Sequence, residues 1–307
     1  MNLKKIKNVI KRDWQYYLFM LLPLTYFIIF KFFPMAGLQI AFRDYTPKDG
    51  IWNSSWVGLE NVIKFINSYQ FERVVKNTFI LSVYGFALNT IIPLVFALIY
   101  NAIEKPRFKK VTQTIVTLPH FISVVVLVGI MMQLLNNRIG LYGILYENIF
   151  GEYPPDIFGD SKAFRHLYAW SSVWQNFGWN AIIYIATLSG VDAGLHEAAQ
   201  LDGASRLQRI WHVDLPYLIP TIVILAVMGM GNIMSVGFEK AFLMQNNLNL
   251  EYSELISTYV YRIGLSGTTL SDFSYATAID LFNALLNLVL LFLANIAAKR
   301  ITETSLW

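Results

Sequence analysis

Long apolar runs separated by short polar connectors set the rhythm of this sequence. A helix that crosses lipid needs roughly 20 largely apolar residues, because hydrocarbon offers no hydrogen-bond partner to an exposed backbone amide. Six runs reach that length: 16–38, 75–100, 111–134, 167–190, 215–236 and 275–298. The fourth is the most polar, with Trp174, Gln175, Asn176 and Asn180 inside it, while the first contains Lys31 and the last Asp280. The pattern predicts an all-α polytopic membrane protein with six transmembrane helices, residues 16–298 forming a single transmembrane domain. The first run has the basic start of a signal peptide. It is too long for one and lacks a small-x-small cleavage site, so it reads as a retained helix that starts insertion. Residues 42–73 are the one stretch suited to a separate extracellular element, and Trp52 and Trp56 within it favour the membrane interface.

Composition sharpens this picture. Of 307 residues, 55% are hydrophobic and 14% charged, against about 25% charged in a typical soluble domain. The mean hydropathy is +0.46. With no cysteine, a disulfide scaffold is excluded. A formal charge of +4, with scattered basic residues, argues against a nucleic-acid partner. Lys and Arg concentrate in the tail 1–15 (Lys4, Lys5, Lys7, Lys11, Arg12), the second loop (Lys105, Arg107, Lys109, Lys110), the fourth (Arg206, Arg209) and the tail 299–307 (Lys299, Arg300). The other three loops hold 12 of the 20 acidic residues. Both termini are therefore expected on the cytoplasmic side. The bacterial cytoplasmic membrane is the expected location.

The fourth loop, 195–216, departs from the apolar rhythm. Leu195–Leu201 are strong helix formers, and the adjacent Ala198 and Ala199 leave a small-sided face. Gly203 suits a tight turn at φ > 0, Ser205 suits the cap of a second short helix, and Pro216 suits the first turn of the next span. Physically this is a helix–turn–helix knob, or equally a connector lying on the headgroups with Trp211 as its anchor.

Glu197-Ala198-Ala199, then Gly203, then Val213, Leu215 and Pro216 resemble the cytoplasmic coupling motif of ABC importer permeases, which usually has isoleucine where Val213 stands. Asp202-Gly203-Ala204 and Leu215-Pro216-Tyr217-Leu218 resemble its maltose-type carbohydrate branch. Phe33-Pro34-Met35, Ala41-Phe42-Arg43-Asp44-Tyr45, Gly237-Phe238-Glu239-Lys240, Asn246-Asn247 and Tyr259-Val260-Tyr261-Arg262 resemble permeases for oligosaccharides and polysaccharide fragments. The resemblance implies a type I ABC importer permease fold with a coupling helix between helices 4 and 5. It also implies a second homologous permease subunit, two cytoplasmic ATPase subunits and an extracellular sugar-binding lipoprotein or periplasmic protein. The coupling residues it implies are Glu197, Ala198, Ala199, Asp202, Gly203, Val213, Leu215 and Pro216. The chain has no phosphate-binding loop, so ATP and Mg are expected on the partner ATPases and no cofactor or enzymatic activity on this chain.

Polar residues at helical spacing mark the candidate substrate pathway, since unpaired polar groups in lipid are costly and usually face the bundle interior. These are Asn89, Asn176, Trp179, Asn180, Tyr184, Asn232, Asn283 and Asn287. Aromatic faces suit the C–H surfaces of a sugar and amides its hydroxyls. Interhelical bonding is the competing role, weighed evenly for Asn283 and Asn287. Two other function classes stay open on the residues alone. An ion-coupled sugar carrier would use Asp280 but needs buried acid–cation partners and usually inverted repeats. A membrane-embedded transferase would need a catalytic carboxylate or histidine cluster. The four histidines, His120, His166, His196 and His212, lack metal-ligand spacing. Glu239 and Lys240 suit either a contact to the delivering protein or a mutual pair.

Overall fold

The computed structural model describes residues 12–266 and 272–302. Residues 1–11 and 303–307 of the expected tails lie outside the described residues. The α-helices of seven residues or more are α1 (Trp14–Phe27), α2 (Glu60–Ile66), α3 (Gln70–Asn101), α4 (Pro106–Thr117), α5 (Val124–Leu134), α6 (Leu141–Phe150), α7 (Ser161–Leu188), α8 (Ala193–Leu201), α9 (Leu215–Met230), α10 (Phe238–Met244), α11 (Ile256–Gly264) and α12 (Phe273–Thr302). A two-residue antiparallel ribbon pairs β1 (Arg43–Asp44) with β2 (Ser55–Trp56).

Two compact units divide the chain. The first comprises Met1–Asn67 and Ile263–Leu281. In it α1 continues without a break through a π turn, Ile28–Phe32, and a 3-10 segment to Phe42, which makes a 29-residue candidate span. No side chain from Trp14 to Met35 is buried, an environment suited to Leu, Phe and Ile only in lipid or against a partner. Beyond it, Phe42 stacks on Trp56 at 5.6 Å, and Arg43 donates to the Ser54 carbonyl at 2.8 Å. Asn61 on α2 donates to the Ala41 carbonyl at 3.0 Å, which ties this segment to the end of the 29-residue helical stretch. Lys64 pairs with Asp272 at 3.0 Å and lies 4.5 Å from the Tyr275 ring centroid.

The second unit comprises Ser68–Arg262 and Phe282–Trp307. Its backbone is the pair α3 and α7. One end of that pair closes on Ala97, Leu98, Ala181, Tyr184, Leu188 and Leu218. The other closes on Leu81, Val128, Phe164, Tyr168, Ala241, Met244 and Leu255. A polar latch holds the segment before α11 against α3. Glu254 is 1% exposed and pairs with both Arg73 and Arg262. Asn77 donates to the carbonyls of Glu251 at 2.8 Å and Glu254 at 3.1 Å, and accepts from Arg165 at 2.8 Å. Removing Glu254 leaves the two partly exposed guanidiniums of Arg73 and Arg262 facing each other without their shared carboxylate. Glu254→Ala is therefore expected to lower the melting temperature of the purified protein steeply, and an unchanged melt would show that the latch contributes nothing.

Four described helical stretches are long and apolar enough to cross a membrane: Trp14–Phe42, Gln70–Asn101, Arg206–Met230 and Phe273–Arg300. A fifth arises if Pro106–Phe121 and Val124–Leu134 count as one broken span, bent by 96°. The apolar run 111–134 is thus two helices, because Pro119 and a fresh cap at Ser123 interrupt it. With 28 residues, α7 is about 42 Å long, but Gln175, Asn176 and Asn180 keep it out of the apolar set. The fifth helix stops at Met230 rather than reaching 236, the chain turning where Asn232 N–H bonds the Gly229 carbonyl at 3.2 Å.

Candidate functional site

Each turn of the fourth loop has a chemical cause. Asp192 caps α8, its carboxylate accepting from Gly194 N–H at 2.9 Å. Two backbone bonds close the far end of that helix, from Gly203 N–H to the Gln200 carbonyl at 3.0 Å and from Ala204 N–H to the Ala199 carbonyl at 2.9 Å. This pair is the Schellman closure, and it requires a left-handed residue, here Gly203 with φ +81°. Ser205 and Gln208 then form a reciprocal capping box. Chain direction next passes through a π turn, Ile210–Asp214, into α9 with Pro216 in its first turn.

The sequence therefore specifies a rigid knob, and α8 contains no buried residue. Glu197, Ala198, Asp202, Gly203 and Pro216 are exposed, while Ala199, Val213 and Leu215 are half-buried. Leu195, Leu201, Leu207 and Trp211 are exposed beside them, Leu201 by 90%. A charged, small-sided helix fringed by exposed leucines and Trp211 is a surface for a partner protein or for the lipid headgroups.

The candidate pathway residues fall into three settings. The first is the break between α4 and α5. There Asn176 meets His120 Nδ1 at 2.9 Å, His120 stacks on Trp179 at 4.4 Å and 8°, and Gln175 donates to the Ile122 carbonyl at 2.7 Å. Gly178 lets α7 press on the Val116 carbonyl. Asn180 is half-buried on the same helix. Interior packing is the second setting. Tyr184 is 3% exposed in the apolar cluster with Leu98 and Leu218. Asn287 accepts from Met234 N–H at 2.9 Å and donates to Ser235 at 3.1 Å. Asn283 is buried, its carbonyl oxygen without a hydrogen-bond partner among the described residues. The remaining two stand apart, Asn89 donating to its own helix at Gly85 (2.9 Å) and Asn232 exposed in the turn after α9.

Two groups named in the sequence take contacts that it did not assign. His120 follows Pro119, and a proline within an apolar run is the signal that a helix breaks there. Lys240 turns inward while Glu239 stays exposed. Its Nζ donates to the Tyr168 carbonyl at 3.1 Å and to Ser172 Oγ at 2.9 Å, and lies 4.9 Å from the Tyr168 ring. Burial pushes this ammonium down to about 7. The unfolded chain keeps the proton up to about 10.5, so between those values unfolding takes up a proton and stability rises with pH. Below pH 7 the contribution is flat. Thermal melts at pH 7 and 9.5 should show a gain, bounded by about 1.4 kcal/mol per pH unit. Lys240→Met should abolish it, and an equal gain in that variant would assign the effect to another group.

Among the described residues no cluster of three or more His, Asp or Glu is suited to a metal ion. The geometry defines a helical, multi-pass membrane protein with a rigid exposed knob between two long helices. Residues 89–303 match the binding-protein-dependent transport system inner membrane component family, and the chain belongs to it. It is 38% identical, over 99% of its length and 94% of the other protein, to the polygalacturonan/rhamnogalacturonan transport system permease protein YteP of Bacillus subtilis. Protein LplB of the same organism is 36% identical over 97% of this chain and 92% of its own. Among solved structures, a chain of a bacterial ABC transporter involved in the import of the acidic polysaccharide alginate superposes with TM-score 0.89. The two are 35% identical, and the match covers 97% of this chain and 99% of that one. A related structure, with TM-score 0.88, holds that transporter in complex with an alginate pentasaccharide-bound periplasmic protein.

Proposed function

We propose that this chain is one of two permease subunits of an ATP-driven importer that takes up an oligosaccharide or glycan fragment handed over by an extracellular sugar-binding protein. Membership of the binding-protein-dependent family supports an importer, and the polysaccharide substrates of its relatives support the substrate class. Two cytoplasmic ATPase subunits carry ATP and Mg. Six spans cross the cell membrane, α7 being the fourth, with both termini inside.

One observation carries the reading: the Glu197-Ala198-Ala199 helix buries none of its side chains in this chain and is locked at Gly203. Closure of the ATPase dimer pushes on this helix and rocks the spans in alternating access. Glu197 offers a carboxylate to a basic residue of the ATPase, and Ala198 and Ala199 permit close approach. The pathway runs past Asn176, Trp179 and Asn180 at the helix break, where irregular backbone at membrane depth is tolerated if it lines a cavity. Asn89 and Asn232 extend it. Tyr184, Asn283 and Asn287 hold its walls together.

Pull-down of the tagged chain from mild detergent tests the assembly. Recovery of a second permease and an ATPase subunit is expected; a chain that purifies without a nucleotide-binding partner in several detergents would overturn the reading.

A further inference from the structure

A polar clasp joins the coupling loop to the cytoplasmic end of α3. Asp214, the last residue of the π turn before α9, is 3% exposed. One of its oxygens, Oδ1, accepts from Asn101 Nδ2 at 3.2 Å and stands 3.2 Å from His196 Nε2, within ion-pair distance. Asn101 is the final residue of α3 and His196 lies on α8, so a single buried carboxylate oxygen meets groups from two helices at the start of a third. A second, exposed tie runs parallel, from Arg206 to Glu104 at 2.6 Å. Between the ties lies a cavity of about 280 Å³, lined in part by Ala102, Leu188, Val191 and Ala193.

The clasp matters because none of the nine residues of α8 is buried, and among the described residues α8 makes no other side-chain ion pair. Joined only through its connecting turns, such a helix would swing when pushed. Force travels through elements that are held rigidly together. We propose that Asn101, Asp214 and His196 are positioning residues of the transport cycle, making α8, the end of α3 and the start of α9 move as one body. A push on the coupling helix then reaches the second span directly, and the fifth through the chain. This rests on the coupling role assigned to α8 above.

Sugar delivered per ATP hydrolysed, measured with the complete complex in proteoliposomes, tests the clasp. Asp214→Leu removes the shared carboxylate and should lower that ratio about tenfold, the scale of a lost coupling free energy. Asp214→Asn keeps a carbonyl oxygen in place for Asn101 and facing His196 and should restore most of it, which a simple loss of packing would not explain. His196→Leu removes the imidazole from the clasp at a half-buried position and serves where Asp214→Leu fails to assemble; the same loss is expected. Gly203→Val is run alongside. If it uncouples transport while the Asp214 and His196 variants keep the wild-type ratio, the clasp is overturned and the coupling loop stands. If Gly203→Val also keeps that ratio, the coupling role of the loop fails with it.

Discussion

Gly203→Val should sharply lower coupled uptake while leaving the complex assembled. The residue sits at φ +81°, and a Cβ there meets nothing within 4 Å, so the whole effect of the substitution is conformational. A β-branched residue held in the left-handed region costs about 1–3 kcal/mol. The exposed turn relieves that strain by opening, the bonds from Gly203 and Ala204 to the end of α8 are lost, and the helix leaves its docking angle. Uptake is expected to fall by about 5–150-fold, the range of a lost coupling free energy of 1–3 kcal/mol. A graded series adds a check. Asparagine tolerates this backbone conformation better than alanine, and alanine better than valine. Uptake should therefore rank Asn above Ala above Val. Equal uptake in all three, at the wild-type level, would mean the turn is not what places α8.

Gly178→Ala carries the largest expected cost to folding. A Cβ at this position would stand 2.1 Å from the Val116 carbonyl oxygen and 2.9 Å from its Cγ2. A backbone carbonyl inside a helix cannot move aside, so α7 must retreat from α4. That retreat also strains the bonds Gln175 to Ile122 and Asn176 to His120, which hold the broken span in its 96° bend. Overpacking of this kind costs about 3 kcal/mol or more when neighbours cannot yield. The expected readout is a collapse in the yield of monodisperse protein and a large drop in melting temperature. Gly85→Ala is the matched control, since its Cβ meets nothing within 4 Å and alanine favours a helix interior. A Gly178→Ala protein that melts like the Gly85→Ala one would refute the close packing of α7 on α4.

Local chemistry made the fourth loop legible in the sequence. Gly203 after a run of helix formers implied a left-handed stop, Ser205 implied a cap, and Pro216 implied a first turn; the structure has all three. These features depend on residues within a few positions of one another. The break at 118–123 was also locally written, in Pro119 and Ser123, but the surrounding valines and leucines mask it in any reading based on apolar length. Length likewise carried the fifth helix past Met230, although Gly229 and Gly231 flank the turn. The clasp was not legible: Asn101, His196 and Asp214 are separated by up to 113 positions, and only folding brings them together. The same holds for Glu254, whose partner Arg73 is 181 positions away. For the polar seam, residue type and spacing identified a set. They could not divide it between interior bonding, as for Asn287, and the helix break, as for Asn176, because that division depends on which neighbour each amide meets.

The driving force for uptake is the most direct test of an importer powered through an exposed coupling helix. The complete complex is reconstituted in proteoliposomes, and a labelled oligosaccharide is supplied on its binding protein. Accumulation in the lumen should require ATP on the ATPase side, and hydrolysis should rise when the loaded binding protein is added. Accumulation that follows an imposed ion gradient without ATP, and disappears on Asp280→Asn, would contradict it and make this chain a secondary carrier.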